Sequence, residues 1–424
     1  MRIYDLRAGD ADASRWASAS VEWENTPRPP QRIEFSARGD LAGSLEPAPE
    51  AFVLAAAFAA ARAGERRLRI EDSLCPVFAR NVREGLVLLD AWYGGSRSAM
   101  SIEASRGFRA RPPGAPAAAM FLSGGVDSLH VLRRNRLAFP RSHPESIRIA
   151  VHARAFGYSG EANTEAARNI AERASRSIGE IARAEGLRVA SVEFDARLLE
   201  PDFEFFVLES HGSMLAAAAH LFPGAFRSVA IAASADLRRH FRPWGSHPLL
   251  DPLYGSSALT VRHSGHEFSR IEKVRDLSRW DVALATLLVC NEAPLPAGVA
   301  NCGRCEKCLR TLCELFASGV LDRASTFAVR EVTTEAIRRL HTVDAPGLRF
   351  HNREGQYPPS WSDLLRELSG RPDLVAAIRE WLAKLRQSTN WEADRGWKGG
   401  LRRLDRALLG GRLLALRRRR TKTP

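Results

Sequence analysis

The fold predicted for this chain depends mainly on one stretch, Phe121-Leu122-Ser123-Gly124-Gly125-Val126-Asp127-Ser128. It follows the apolar run 116–120 and precedes Leu129-His130-Val131-Leu132, which is typical of the start of a helix. A strand, a glycine pair and a helix N-terminus can wrap a phosphate, because glycine allows a tight turn and the unpaired N–H groups attract anions. The spacing differs from that of a Walker loop, which has four residues between its glycines and a Lys-Ser/Thr pair. The stretch therefore predicts a phosphate-binding loop of another kind.

Polar side chains flank the two glycines of this loop. Ser123 and Ser128 add hydroxyl donors, and Asp127 can cap the helix or hold a metal ion near phosphate. The pattern Ser-Gly-Gly-x-Asp-Ser resembles the signature of the PP-loop ATP pyrophosphatases, which cleave ATP to AMP and diphosphate while they adenylate a substrate oxygen. The resemblance implies that ATP and magnesium bind here, with Asp127 as a catalytic residue that holds Mg²⁺. It implies nucleotide-binding roles for Ser123, Gly124, Gly125, Val126 and Ser128.

Length and composition indicate a globular protein of two or three domains. The chain has 424 residues, of which 45% are hydrophobic and 26% are charged. The longest apolar run, Ala51–Ala61, ends at Arg62 and is too short to cross a bilayer. The first residues carry Asp5, Asp10 and Asp12 and do not form a secretory signal. A cytoplasmic location is the expectation.

The net charge of +13 is concentrated at one end of the chain. Residues 401–424 hold eight Arg and one Lys against one Asp, so this tail carries +8 and leaves +5 for the other 400 residues. The tail could contact an anionic membrane surface or RNA phosphates, and a solvated terminus is an equal alternative. The charge therefore does not indicate a nucleic-acid-binding body.

Composition along the chain predicts four segments. Residues 1–112 read as a small mixed α/β domain, and a proline-rich linker follows at 111–116. Residues 113–320 alternate strands with helices, which is typical of a parallel sheet with crossover helices. A helical region at 321–400 and the basic tail at 401–424 complete the chain. We expect an α/β fold with a doubly wound, mainly parallel sheet of the HUP or Rossmann-like kind and four strands after the linker.

An irregular stretch is predicted from Ser234 to about Ser269. Its aromatic and apolar residues argue against disorder, and a loop of this length is usually functional. Ser269 is the expected N-cap of the next helix. In PP-loop enzymes a Thr/Ser-Lys pair opens the corresponding helix, and its lysine reaches the diphosphate. The resemblance therefore implies that Ser269 contacts nucleotide and that Arg270, standing for the lysine, is catalytic; an ordinary capped helix is the alternative.

Five of the six cysteines lie within 24 residues, which points to metal binding. Cys302, Cys305 and Cys308 are spaced at intervals of three, and Cys290 lies upstream. Four thiolates suit a structural zinc ion with no open coordination position, and an iron–sulfur cluster is the competing interpretation. The fourth ligand is predicted as Cys290 in preference to Cys313, which lies in an apolar helix.

The cysteine cluster narrows the family resemblance to two groups. A PP-loop followed by a later C-x-x-C-x-x-C is similar to the 7-cyano-7-deazaguanine synthase family, which adenylates a deazapurine carboxylate and forms a nitrile with ammonia. Ser234 and Asp236 fall where that family binds substrate. The Gly-Gly-x-Asp-Ser loop and the Cys-Gly-x-Cys-x-Lys-Cys motif also resemble the ATP-dependent epimerases that act on the glutamate of UDP-muramoyl-dipeptide.

These resemblances imply an enzyme that adenylates a carboxylate or amide oxygen of a small molecule and releases diphosphate, after which ammonia or water displaces AMP. A cell-wall epimerase-like enzyme, a tRNA-modifying PP-loop enzyme, a non-catalytic nucleotide sensor and a zinc-braced scaffold remain alternatives. The sequence does not indicate the substrate or the oligomeric state.

Overall fold

The computed structural model describes residues 1–95, 100–154, 165–195, 197–238, 242–340 and 359–388. The chain forms two compact units. The larger contains residues 1–302 and 322–328. Of the described residues, the smaller contains 303–321, 329–340 and 359–388. The basic tail at 401–424 and its predicted membrane or RNA contacts lie outside the described residues.

The larger unit is built on one ten-stranded, mostly parallel sheet covered by helices, which confirms the predicted α/β class. The strand order is β10-β9-β6-β7-β8-β3-β2-β1-β4-β5. The strands are β1 (Arg2–Ala11), β2 (Ser14–Glu22), β3 (Gln31–Gly39), β4 (Arg67–Ile70), β5 (Ser101–Ala104), β6 (Ala118–Phe121), β7 (Ile147–Arg154), β8 (Arg188–Phe194), β9 (Ser228–Ala232) and β10 (Thr260–Ser264).

Five neighbouring strands at one end of the sheet run parallel to one another: β10, β9, β6, β7 and β8. β6 carries four buried residues and lies between β7 and β9, with Phe121 opposite Val151 and Met120 opposite Ala230. A strand covered on both faces is expected to be apolar throughout, as Ala-Ala-Met-Phe is. The chain adds β7 and β8 on one side of β6 and then crosses to add β9 and β10 on the other. Such a reversal of order opens a crevice at the carboxyl ends of the strands.

The first 112 residues continue the same sheet. β1, β2 and β3 form an antiparallel meander, β4 and β5 run parallel to β1, and β3 pairs antiparallel with β8. Phe35 lies opposite Phe194 across that junction, and the two rings are 5.1 Å apart. Strands on the two sides of the linker at 111–116 therefore belong to one sheet.

Helices and short turns cover the sheet. In the larger unit they are α1 (Pro49–Ala63), α2 (Pro76–Trp92), α3 (Val126–Ala138), α4 (Glu165–Glu185), α5 (Phe203–Phe205), a π-helix (Phe206–Ser210), α6 (His211–His220), a 3₁₀ turn (Asp251–Tyr254), α7 (Arg270–Leu277) and α8 (Asp281–Thr286). α1 is buried on nearly all sides, as its alanine-rich, uniformly apolar sequence requires. It packs on α6, which is likewise rich in alanine.

The stretch that the sequence left irregular, Ser234 to about Ser269, contains a fifth parallel strand, so that part of the prediction is wrong. β10 pairs with β9 from Thr260 to Ser264. Its only buried residue is Val261, so the sequence of this strand lacks the apolar alternation that predicts a half-buried strand.

The smaller unit is helical. Its described helices are α9 (Glu306–Ala317), α10 (Thr334–Arg338), α11 (Pro359–Glu367) and α12 (Pro372–Ser388). Trp361 packs on Trp381 with 4.9 Å between the rings, and its indole N–H donates to Glu306 at 2.8 Å. No helix in the described part of the chain is long and apolar enough to cross a membrane.

Candidate functional site

The loop between β6 and α3 holds the predicted nucleotide-binding residues. The strand ends at Phe121 and the helix begins at Val126, with Gly125 as N-cap. Gly124 has a φ of +74°, and its carbonyl accepts a hydrogen bond from Leu288 N at 2.9 Å. A Cβ at Gly124 would lie 2.6 Å from Ser177 Oγ. Glycine is therefore required at this position for its backbone angle and for close packing.

Hydroxyl groups stabilise the turn from within. Ser128 Oγ donates to Gly125 O at 3.1 Å, accepts from Ser123 N at 3.3 Å and lies 3.2 Å from Ser123 Oγ. Ser123 Oγ accepts from Gly125 N at 3.3 Å. Ser128 is buried, whereas Ser123 is exposed at the mouth of the loop. The loop is therefore held in a tight conformation by its own polar side chains.

Gly124→Ala is expected to destabilise the protein by more than Gly64→Ala does. The positive φ alone costs about 1–3 kcal/mol in a non-glycine residue, and the new Cβ at position 124 also pushes Ser177. Gly64→Ala is the matched control, since Gly64 has a φ of +82° and a Cβ added there would meet no atom within 4 Å. Urea unfolding measures the free energy of unfolding of both variants. Equal losses in the two variants would contradict a special packing requirement at Gly124.

Three charged groups meet beside the loop. The Lys273 ammonium donates to Asp127 Oδ1 at 2.9 Å and to the Ala233 carbonyl at 2.6 Å. The Arg270 guanidinium lies 3.7 Å from Asp127 Oδ2. Lys273 is almost fully buried, and Asp127 retains about a quarter of its side-chain exposure. Asp127 and Arg270, both predicted from the sequence, are therefore brought together, and Lys273 joins them.

Lys273 was not predicted from the sequence, because the PP-loop resemblance places the basic residue directly after Ser269. The structure confirms Ser269 as the N-cap of α7: its Oγ accepts from Glu272 N at 3.4 Å, and Glu272 accepts from Ser269 N at 2.7 Å. Arg270 and Lys273 are three residues apart and lie on the same face of the helix. This pair of basic residues at positions i and i+3 of one helix was the sequence signal that could have indicated Lys273.

The end of β9 forms the opposite side of the crevice. Ala233, whose carbonyl binds Lys273, directly precedes the two predicted substrate residues Ser234 and Asp236. Ser234 is exposed, and Asp236 is buried with 4% exposure. The loop after β6 and the segment after β9 therefore flank the point where the strand order reverses.

His130 of α3 lines this region as a neutral group. Its ring packs on Phe268 with 4.7 Å between centroids, and a Cβ at Gly265 would lie 3.8 Å from its Nδ1. Burial, and then the nearby Lys273 ammonium, lower the pKa of His130 to about 4. At neutral pH the ring therefore adds no positive charge beside Lys273.

Four cysteines form a candidate metal centre. The Sγ atoms of Cys290, Cys302, Cys305 and Cys308 all lie within 4.8 Å of one another. Thiolates around a tetrahedral zinc are about 3.8 Å apart, given Zn–S bonds of about 2.3 Å, so the four sulfurs fit such an ion. Cys305 is the N-cap of α9, where the helix dipole favours a thiolate. The cluster could hold a metal such as zinc.

The side chain of Asn301, which directly precedes Cys302, stabilises the backbone at Cys290. Its buried side chain accepts from Val289 N at 2.8 Å and Cys290 N at 3.1 Å and donates to Leu287 O at 2.8 Å. Cys313, the alternative fourth ligand, is not part of the cluster. Burial raises the pKa of the Cys313 thiol to about 12, which keeps it protonated. Cys290 is therefore the fourth cysteine of the group.

The chain was compared with models of protein families, with curated proteins and with solved structures. None of the three comparisons finds a match. The resemblance to PP-loop enzymes therefore rests on the loop and cysteine motifs alone.

Proposed function

We propose that this protein is an ATP-dependent enzyme that adenylates a substrate oxygen and releases diphosphate. The observation that supports this proposal best is the pairing of Asp127 with Lys273 and Arg270 beside a glycine-rich loop, at the point where the strand order reverses. A doubly wound sheet of the HUP kind is part of the proposal. In such sheets ligands bind at this point, beyond the carboxyl ends of the strands.

The residues of the crevice match the charge of a nucleoside triphosphate. N–H groups of Gly124, Gly125 and Val126 at the start of α3 would hold the β- and γ-phosphates, and Ser123 would add a hydroxyl donor. Lys273 and Arg270 would stabilise the departing diphosphate, and Asp127 would exchange part of its pairing with them for magnesium. The Asp127 carboxylate fits that metal, because magnesium is commonly bound by one or two carboxylates together with substrate phosphates. Magnesium supplies charge neutralisation.

The reaction proceeds in two stages. A carboxylate or amide oxygen attacks the α-phosphorus, the bond to the β-phosphate oxygen breaks, and diphosphate leaves. Ammonia or water then attacks the activated carbon, and AMP leaves with the electron pair of its bond. Positioning and charge stabilisation supply most of the rate, as they do in phosphoryl transfer generally.

The cysteine centre has a structural role in this proposal. Four thiolates complete a tetrahedral shell and leave no position for water or substrate. The metal would hold the cysteine-bearing segments, with Asn301 as their second support. The resident ion is proposed as zinc.

Diphosphate release from Mg·ATP tests the proposal, with deazapurine carboxylates, UDP-muramoyl-peptides and tRNA as candidate acceptors. We expect one acceptor class to stimulate release, and we expect Asp127→Ala to reduce it at least about 100-fold. Asp10→Ala, which removes an exposed carboxylate on β1, serves as the control. If wild type and Asp127→Ala release diphosphate equally with every acceptor, adenylation is excluded. Stimulation by tRNA alone would instead support the tRNA-modifying alternative.

A further inference from the structure

A second polar cluster lies outside the nucleotide loop, around the carboxylate of Asp251. This carboxylate is completely buried, and its Oδ2 accepts from Ser246 Oγ at 2.7 Å and lies 2.8 Å from His263 Nδ1. Its Oδ1 accepts from His247 N at 3.2 Å. A buried charge is costly unless it is paired and hydrogen-bonded, and here three groups stabilise it.

The loop that carries Ser246 is fixed by an irregular helix. The π-helix Phe206–Ser210 leaves the Val207 carbonyl to accept from Gly245 N at 3.2 Å, and His211 Nδ1 lies 2.9 Å from the same oxygen. Gly212 N donates to Gly245 O at 2.8 Å. Single π-turns within helices are rare and occur frequently at functional sites. The arrangement holds Asp251 and its donors in one geometry.

The cluster positions His263 through its Nδ1 atom, and the second ring nitrogen, Nε2, does not take part in the cluster. With Asp251 accepting at Nδ1–H, Nε2 carries the lone pair, as in any histidine oriented by a buried aspartate. Nε2 has no hydrogen-bond partner among the described residues and is not fully buried. The His266 ring lies 5.6 Å away, and its Nδ1 is buried without a hydrogen-bond partner in the described part of the chain. Two imidazole rings therefore retain unused hydrogen-bonding capacity at the end of β10.

This cluster lies at the same edge of the sheet as the nucleotide loop. Ser264 O, one residue beyond His263, accepts from Ala233 N at 2.8 Å, and Ala233 O binds Lys273. His266 O accepts from Leu237 N at 2.8 Å, next to Asp236. Hydrogen bonds through Ala233 thus join the Ser264 backbone, next to His263, to Lys273, which binds Asp127. Ligands of open α/β sheets bind in the crevice at this edge.

We propose that His263 is the proton acceptor for the second stage of the reaction, with Asp251 as its positioning residue. The inference rests on the proposed adenylation. Ammonia or water attacks the adenylated carbon, and the new C–N or C–O bond forms as the bond to AMP breaks. AMP takes the electron pair, and His263 Nε2 takes the proton lost by the nucleophile. A positioned base of this kind accelerates such a step about 10²–10⁴-fold.

The test separates the two stages in the full-length protein with the acceptor that supports diphosphate release. Exchange of labelled diphosphate into ATP reports adenylation, and AMP formation reports the second stage. We expect His263→Gln and His263→Ala to keep exchange and Mg·ATP affinity within about 3-fold of wild type while AMP formation falls at least about 100-fold. Free imidazole is expected to restore AMP formation in His263→Ala. Asp251→Asn is expected to slow AMP formation with exchange retained and without rescue by imidazole.

His143→Gln is the matched control, since His143 is an exposed histidine outside the cluster, and it is expected to leave both stages unchanged. Equal loss of exchange and AMP formation in His263→Gln would overturn a second-stage role. Undiminished AMP formation in both His263 variants would overturn it as well. Absence of diphosphate release in the wild type with every acceptor would refute the proposed function first, and with it this inference.

Discussion

Lys273→Met is expected to reduce diphosphate release at least about 100-fold and to weaken Mg·ATP binding. The substitution keeps the length of the side chain but removes the ammonium that joins Asp127 to the Ala233 carbonyl across the crevice. Asp127 keeps its longer contact to Arg270, whereas the hydrogen bonds from the ammonium to Asp127 and to the Ala233 carbonyl are both lost. Leaving such groups unsatisfied also costs about 1–3 kcal/mol of folding free energy.

Two comparisons show whether the effect belongs to the site. Lys384→Met removes an exposed lysine of α12 and is expected to leave both measurements unchanged. Arg270→Gln is expected to reduce release about 10-fold, because Arg270 lies farther from Asp127. Calorimetry with Mg·ATP measures binding without an acceptor, and urea unfolding measures stability. A Lys273→Met protein that binds Mg·ATP with wild-type affinity would remove Lys273 from the proposed nucleotide site.

Cys308→Ser is expected to abolish metal binding and to lower the melting temperature by more than about 10 °C. Metal coordination by thiolates contributes about 10–16 kcal/mol in small zinc peptides, and loss of several kcal/mol shifts the melting point of a domain by about this amount. Removing one of four ligands leaves three thiolates within 4.8 Å of one another without a complete shell. A strong chelator is expected to lower the melting point of the wild type in the same way.

Cys313→Ala is the matched control for that experiment. Cys313 is a buried cysteine of the same helix as Cys308 but does not belong to the cluster. It is expected to keep about one metal ion per chain. Elemental analysis distinguishes zinc from iron. Wild-type protein that contains far less than one zinc or iron per chain after purification without chelator would contradict the metal centre.

Local sequence signals were sufficient to predict several helices and strands. The alanine-rich run between Pro49 and Gly64 predicts a helix over Pro49–Ala63, and the sequence also predicts strands over Ser101–Ala104 and Ala117–Leu122. The first two elements have these bounds, and the third, Ala118–Phe121, is one residue shorter at each end. A proline at the first helical turn, a glycine at the end and an apolar run between them specify such elements without distant contacts. The spacing of the four clustered cysteines likewise predicted their proximity.

Other elements lacked a local signal. β1 contains an irregularity between Tyr4 and Arg7, with Asp5 at a φ of +57°, which breaks the alternation of apolar residues. β10 buries only Val261 and therefore shows no apolar alternation in its sequence. The predicted linker at 111–116 gave no indication that β3 would pair with β8 on the other side of it. Pairing between distant strands depends on surfaces that exist only after both have folded.

The sequence by itself determined the α/β class, the loop Ser123–Ser128 and the cysteine set, because each is encoded by neighbouring residues or fixed spacing. Only the tertiary structure decided which groups meet at that loop. Lys273 is 146 residues from Asp127, and His263 is held by a carboxylate twelve residues earlier through the fold of an irregular loop. Electrostatic pairing and desolvation act over a few ångströms in space, whatever the separation along the chain. The partners of Asp127 and the orientation of His263 therefore follow from the strand order of the sheet.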